Sequence, residues 1–310
     1  MPAILSFSSY GSPISLAKRQ MKIAIAQINT TVGDFDGNSD KIVDAWRRAD
    51  EAGAELVVLP ELALCGYPPR DLLAKPAFLR QNQAALERLA KRGGRAVAVV
   101  GHASVNETDS GRPARNSAAV LRDGQIIDVR HKTLLPTYDV FDEDRYFESA
   151  TDNTPVEILG KKIGITICED IWNDEVFPND RRYGRRPADE LAAAGAELLL
   201  NLSASPWNLG KEHSRHVLLS QLSAKAGCPV VYCNLVGGND ELVFDGGSQY
   251  YNGHGVLGAS GAMFAEDLLL VDTETIEPKL SDTSDDDEKL HKALSLGVRD
   301  YLHKCGFASA

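Results

Sequence analysis

The chain has 310 residues, 43% of them hydrophobic and 25% charged. That is an ordinary globular composition, with apolar material for one large α/β domain or two small ones. The net charge of −11 argues against a nucleic-acid-binding surface, and no apolar run approaches the roughly 20 residues of a membrane span. The five cysteines, Cys65, Cys168, Cys228, Cys233 and Cys305, fit neither a disulfide framework nor a zinc ribbon. They read as free thiols in a reducing, cytoplasmic setting.

Residues 1–20 contain no acidic side chain and read as a disordered extension, with Met21 the expected beginning of the folded chain. Lys22–Gln27 is a buried strand. The Gly/Asp/Asn stretch up to Asn38 reads as a loop. A helix is expected from about Asp40 to Ala52, capped by Asn38 or Ser39, with Ile42, Val43, Ala45, Trp46 and Ala49 at helical spacing. Glu55–Leu59 is a second buried strand, closed by Pro60-Glu61. A helix over 76–92 and a strand over Ala96–Val100 follow. Ser117–Leu121 and Gln125–Val129 flank Arg122-Asp123-Gly124, a hairpin turn.

The second half repeats the first. Lys162-Ile-Gly-Ile-Thr-Ile parallels Lys22-Ile-Ala-Ile-Ala-Gln, and Ala194-Gly-Ala-Glu-Leu-Leu parallels Ala52-Gly-Ala-Glu-Leu-Val, at offsets of 140 and 142 residues. Two strand–helix–strand units packed sheet to sheet, with helices outside, make a four-layer α-β-β-α sandwich. A polar loop over Glu175–Arg186 leads to a helix near Pro187–Ala194. Then come a helix over 212–227, a strand over Val230–Asn234, and two strands around the glycine-rich Asp245–Gly261. Residues 276–288 read as an acidic linker. Lys289–Lys304 reads as an amphipathic helix with Leu290, Leu294, Val298, Tyr301 and Leu302 along one side and no partner in the residues after it.

The run Ile163-Gly-Ile-Thr-Ile stops at Cys168, which two carboxylates follow. Alone, Cys168 reads as a core thiol, Glu61 as a carboxylate at a helix start and Lys132 as a solvated lysine. All three stand at or just after strand ends, and together they supply what thiol-based amide hydrolysis needs. A thiol requires a base or cation to become a nucleophile. A carboxylate can take its proton and return it to departing ammonia. An ammonium can hold the oxyanion, helped by backbone N–H groups after the cysteine. Glu169 and Asp170, being adjacent, look like the natural base.

Leu59-Pro60-Glu61, His131-Lys132-Thr-Leu-Leu-Pro136 and Ile167-Cys168-Glu169-Asp170 resemble the three motifs of the nitrilase (carbon–nitrogen hydrolase) superfamily. The resemblance covers residues 21 to about 275. It implies the α-β-β-α fold and a Glu–Lys–Cys triad of Glu61, Lys132 and Cys168, so that Glu61 rather than Glu169 serves as base. Gly66-Tyr-Pro-Pro-Arg-Asp-Leu-Leu73, Tyr138-x2-Phe141-x-Glu143-x-Arg145-Tyr-Phe147, Cys168-Glu-Asp-Ile-Trp172 and Asn201-Leu-Ser-Ala-Ser-Pro206 further resemble the glutaminase domain of bacterial glutamine-dependent NAD synthetases. Arg70 departs from that family's acidic residue after Tyr-Pro-Pro.

Carried over by position, Glu143 is a second catalytic carboxylate, and Tyr138, Ser205, Lys211 and Glu169 line the substrate site for L-glutamine. The resemblance implies no metal and no cofactor for this step. ATP, magnesium and deamido-NAD belong to a synthetase domain, whose start residues 289–310 resemble and whose pyrophosphate loop this chain does not reach. A homo-oligomer is the expected assembly. Two alternatives stay open: a stand-alone amidase on another small amide, and a non-catalytic fragment.

Three further patterns are set aside. Gly253-His-Gly-Val-Leu-Gly258 matches a dinucleotide glycine pattern but lacks its strand-before, helix-after context. His213 and His216 have metal-like spacing without a third ligand. Cys65, Cys228 and Cys233 read as core thiols, and Cys305 as exposed.

Overall fold

The computed structural model describes residues 20–108, 110–173, 183–273, 284–307 and 309. The expected N-terminal extension, most of the 175–186 loop and most of the acidic linker lie outside those residues.

Alternation along each strand sorts side chains onto two faces. In β1 (Lys22–Gln27), Ile23 and Ile25 face one core while Ala24 and Ala26 face another. The first half runs β1, α1 (Phe35–Glu51), β2 (Leu56–Val58), α2 (Pro76–Arg92), β3 (Val97–Val105), then the hairpin β4 (Ala114–Arg122) and β5 (Gln125–His131). β1, β2 and β3 are parallel, with Ile23 beside Leu56 and Leu56 beside Val97. Asp123 and Gly124 turn the hairpin at φ 50° and 77°, the left-handed pair that a two-residue turn requires.

The second half runs β6 (Val156–Ile158), β7 (Lys161–Ile167), α3 (Pro187–Ala193), β8 (Leu198–Ser203), α4 (Lys211–Ala226) and β9 (Val230–Asn234). β7, β8 and β9 are again parallel, so the internal repeat is a repeat of topology.

Each half centres a six-stranded sheet. Ile23, Ile25, Leu56 and Val58 of one sheet pack on Ile163, Ile165, Leu198 and Leu200 of the other. α1 and α2 cover the outer face of the first sheet through Ile42, Trp46, Leu86 and Leu89. α3 and α4 cover the second through Leu191, Leu218, Leu219 and Leu222. The architecture is the four-layer α-β-β-α sandwich.

Several expectations are corrected. α1 begins at Phe35, because the cap is Asp34, whose Oδ1 accepts from Gly37 N at 2.9 Å. Asn38 instead braces the preceding loop through Thr31 N, Thr31 O and Leu64 O. Where two strands were expected after β9, the described residues hold five: β10 (Val236–Asn239), β11 (Leu242–Asp245), β12 (Gln249–Tyr251), β13 (Leu257–Ser260) and β14 (Asp267–Asp272). β10 and β11 form a separate hairpin, β12 and β13 extend the second sheet, and β14 returns to pair antiparallel with β1.

The last helix, α5 (Asp286–Lys304), starts inside the expected linker, capped by Asp285. Its partner lies earlier in the chain. Ala293, Leu296 and Asp300 are buried against the β10–β11 hairpin and its neighbours, while Leu290, Leu294, Val298 and Tyr301 face outward. Asp300 accepts from Gly238 N and Asn29 Nδ2. Lys304 donates to Asn29 Oδ1, Thr30 O, Gly238 O and Asn239 Oδ1. Apart from Leu296 the inward face is small and polar, so the expected apolar stripe lies on the outer side.

One close approach links the fold to chemistry. A Cβ on Gly101 in β3 would stand 2.5 Å from Leu62 N and also strike Pro60 O and Glu61 C, so β3 lies directly against the backbone that carries Glu61. Gly101→Ala is expected to destabilise the protein by about 1–3 kcal/mol through overpacking, read as a lowered thermal midpoint.

Candidate active site

Parallel strands deliver their functional groups at their C-terminal ends, where the chain leaves the sheet. Glu61 follows β2, Lys132 follows β5, Cys168 follows β7 and Ser205 lies just past β8. The sandwich brings these ends together.

Lys132 is 1% exposed and Glu61 1% exposed. The Lys132 Nζ donates to Glu61 Oε1 at 2.8 Å and to Glu143 Oε2 at 2.8 Å. A third donor remains on an ammonium so held. Glu61 is oriented from two more directions, by Asn116 Nδ2 at 2.7 Å and Ala204 N at 2.9 Å. Tyr67 OH donates to Glu143 Oε1 at 2.9 Å. Burial opposes the charge on Lys132, but Glu143 and Glu61 outweigh it and hold the ammonium well above the usual lysine range. Burial raises Glu143 to about 7, with Lys132 opposing and Glu61 adding to the rise. One cation thus serves two carboxylates.

Cys168 opens a short turn, Cys168–Ile171, directly after β7. Its φ of 42° is a left-handed conformation that a non-glycine residue adopts at some cost, often at functional turns. Burial pushes the thiol well above its ordinary range. Glu61 pushes the same way and Lys132 pulls it down, so both reach it electrostatically. The residue lines an open cavity of about 390 Å³ with Tyr138, Phe141, Glu169, Ser205 and Lys211. The Lys211 ammonium lies 5.5 Å from the centre of the Trp172 ring, a cation–π distance.

The two carboxylates after the cysteine are committed elsewhere. Asp170 is buried and accepts from Ile167 N at 2.9 Å, Thr133 N at 3.0 Å and Leu134 N at 2.8 Å. It therefore staples the Cys168 turn to the segment after Lys132. Glu169 accepts from Tyr138 OH at 2.9 Å and Tyr183 OH at 3.1 Å, while its burial raises its carboxyl.

All eight expected site residues fall into two adjoining groups: Glu61, Lys132 and Glu143 in the buried ion cluster, and Cys168, Glu169, Tyr138, Ser205 and Lys211 at the cavity. Sequence reasoning missed Tyr67, Asn116, Tyr183 and the bridging role of Asp170. Tyr67 lies inside the Gly66–Leu73 motif, which was the one available signal. The patterns set aside fall outside the site. Gly253–Gly258 joins β12 to β13, His213 is exposed, and His216 Nδ1 lies 2.7 Å from Tyr251 OH. Cys65, Cys228 and Cys233 are buried and Cys305 is exposed.

Two measurements check these roles. Asp170→Ala strands three buried N–H groups, each worth about 1–3 kcal/mol, and is expected to lower the thermal midpoint strongly. The raised Glu143 carboxyl retains a proton that the unfolded chain loses at its ordinary, lower pKa. Its contribution is therefore present under acidic conditions and lost as pH rises through about 7. Wild type is expected to lose more stability than Glu143→Gln across that window in pH-resolved thermal unfolding.

Residues 22–276 match the family described as carbon–nitrogen hydrolase. A glutamine-dependent NAD(+) synthetase of Synechocystis sp. is 44% identical over 298 residues, covering 93% of this chain and 53% of its own length. The solved glutamine-dependent NAD+ synthetase from Acinetobacter baumannii superposes with a TM-score of 0.84 at 32% identity, covering 94% of this chain and 54% of that one. An amidase mutant from Nesterenkonia sp. AN1, with acrylamide added at its active site cysteine, superposes with a TM-score of 0.67 at 26% identity, covering 81% of this chain and 92% of its own. The chain spans about half the length of the curated relatives it matches. With its family match extending over most of its length, the chain belongs to the carbon–nitrogen hydrolase family.

Proposed function

We propose that this chain hydrolyses the side-chain amide of L-glutamine to glutamate and ammonia through a Cys168 thioester. The observation that carries this reading is the buried Glu61–Lys132–Glu143 cluster, whose charges reach a thiol at an open cavity. Cys168 Sγ attacks the carboxamide carbon while Glu61 takes the thiol proton. The third donor of Lys132 holds the oxyanion. Glu61 returns the proton to the departing nitrogen, and ammonia leaves. Water then attacks the thioester, giving one proton to Glu61, and that proton passes to the thiolate as glutamate is released. Glu143 fixes Lys132 in place. Tyr138, Glu169, Ser205 and Lys211 offer the mixed polar and charged contacts that a zwitterionic amino acid needs. Side chains supply every step, with no metal or cofactor.

The ammonia is proposed to feed an ATP- and magnesium-dependent synthetase unit that amidates deamido-NAD, a reading supported by long relatives that are named glutamine-dependent NAD(+) synthetases. In this reading residues 21–275 are the hydrolase unit, the segment to 288 contains the connection, α5 opens the synthetase unit, and the assembly is a cytoplasmic homo-oligomer. Among the described residues no helix is long and apolar enough to cross a membrane.

Cys168→Ala is expected to reduce ammonia release from glutamine to background, and Lys132→Met to lower kcat by about 100-fold or more. Ammonia production retained by Cys168→Ala would overturn the assignment. A second reading, an amidase acting on another small amide, draws on the Nesterenkonia structure. Turnover of simple aliphatic amides with none of glutamine would favour it.

A further inference from the structure

The segment between β8 and α4 forms part of the cavity wall, carrying Ser205 and ending at Lys211. Three of its backbone N–H groups are held from outside. Ala204 N goes to Glu61, Trp207 N goes to Val243 O at 2.7 Å, and Ser205 N goes to Asn234 Oδ1 at 3.0 Å. Asn234 Nδ2 in turn donates to Asp245 Oδ1 and Gly246 O, each at 2.9 Å. With its nitrogen committed to those acceptors, the amide must present its oxygen to Ser205. Asp245 takes Arg215 Nη2 on both carboxylate oxygens at 2.9 Å. Arg215 follows Lys211 by one helical turn of α4, on the same face.

Every member is buried: Asn234 0%, Asp245 0% and Arg215 1% exposed. A buried ion pair of this kind adds little stability over apolar packing of equal volume. What apolar packing lacks is direction, since it cannot accept from Ser205 N or fix an amide's orientation.

We propose that Arg215, Asp245 and Asn234 form a positioning relay that fixes where Ser205 and Lys211 stand at the cavity, and so governs affinity for the amino-acid substrate. The proposal rests on the glutamine reading above. None of the three residues is placed among the reacting groups, so the relay acts on binding.

The test uses the whole chain. In Asn234→Ala the Arg215–Asp245 pair remains. KM for L-glutamine is expected to rise about tenfold, with kcat changed by less than about threefold. Alkylation of Cys168 by iodoacetamide stays near the wild-type rate. Hydrogen exchange quickens in peptides spanning 204–211 and not in those spanning 163–172. Arg215→Lys, which keeps the charge and loses the fork, is expected to raise KM about threefold, and it carries the test if Asn234→Ala fails to fold. An unchanged KM, or a fall in kcat and alkylation that matches the KM change, overturns the proposal. If wild type releases no ammonia from glutamine, the functional reading fails by itself, and exchange over 204–211 decides the relay. Unchanged exchange there rejects it.

Discussion

A single ammonium between two carboxylates, sealed from water, is the constraint on which the site depends. Lys132 meets Glu61 and Glu143 at 2.8 Å each. Such a group is costly to bury and holds only where its carboxylate oxygens are matched. The structure meets that demand with long-range partners, leaving the third Lys132 donor over. Asn116 comes from β4, Tyr67 from the loop after β2, and the Ala204 N–H from the opposite sheet. The cluster therefore ties the two halves of the sandwich at the point where their strands end. The geometry of the candidate site and the sheet-to-sheet packing are enforced by the same bonds.

The thiol gains from this arrangement without belonging to the ion cluster. Its surroundings favour the neutral form, with burial first and Glu61 second. In the proposed mechanism Glu61 takes that proton as the thiol attacks. Asp170 fixes the geometry between the two segments. By accepting from both the strand end beside Cys168 and the segment after Lys132, it prevents the two from drifting apart.

Much of this was legible in the sequence because the relevant signals are local. Continuous apolar runs marked the parallel strands, the 140-residue echo marked the paired topology, and a carboxylate, an ammonium and a thiol at strand ends drew attention to Glu61, Lys132 and Cys168. What was not legible depends on contacts between distant segments. Nothing near Asn116 announces that it faces Glu61. The cap of α1 was missed because Asp34 and Gly37 sit in a stretch whose composition suits a loop equally well. α5 misled for a different reason. Its buried face brings Gly297 and Asp300 against another glycine, Gly238, beside the buried Leu296, while Leu290 and Leu294 lie outside and drew the expectation away from the contact.

The return of β14 to β1 has a consequence for how the chain is made. Lys22 pairs with Asp272 and Ile25 with Leu269, so the first strand of the sandwich to leave the ribosome borders the last. Until β14 emerges, β1 presents an open edge of unpaired N–H and C=O groups, the kind of edge that recruits other chains. The intervening strands can assemble in order, but closure waits for nearly the whole hydrolase region, and pairing at such separation is intrinsically slow. Nascent chains released before β14 would carry every residue of the candidate site on a sheet still prone to aggregate.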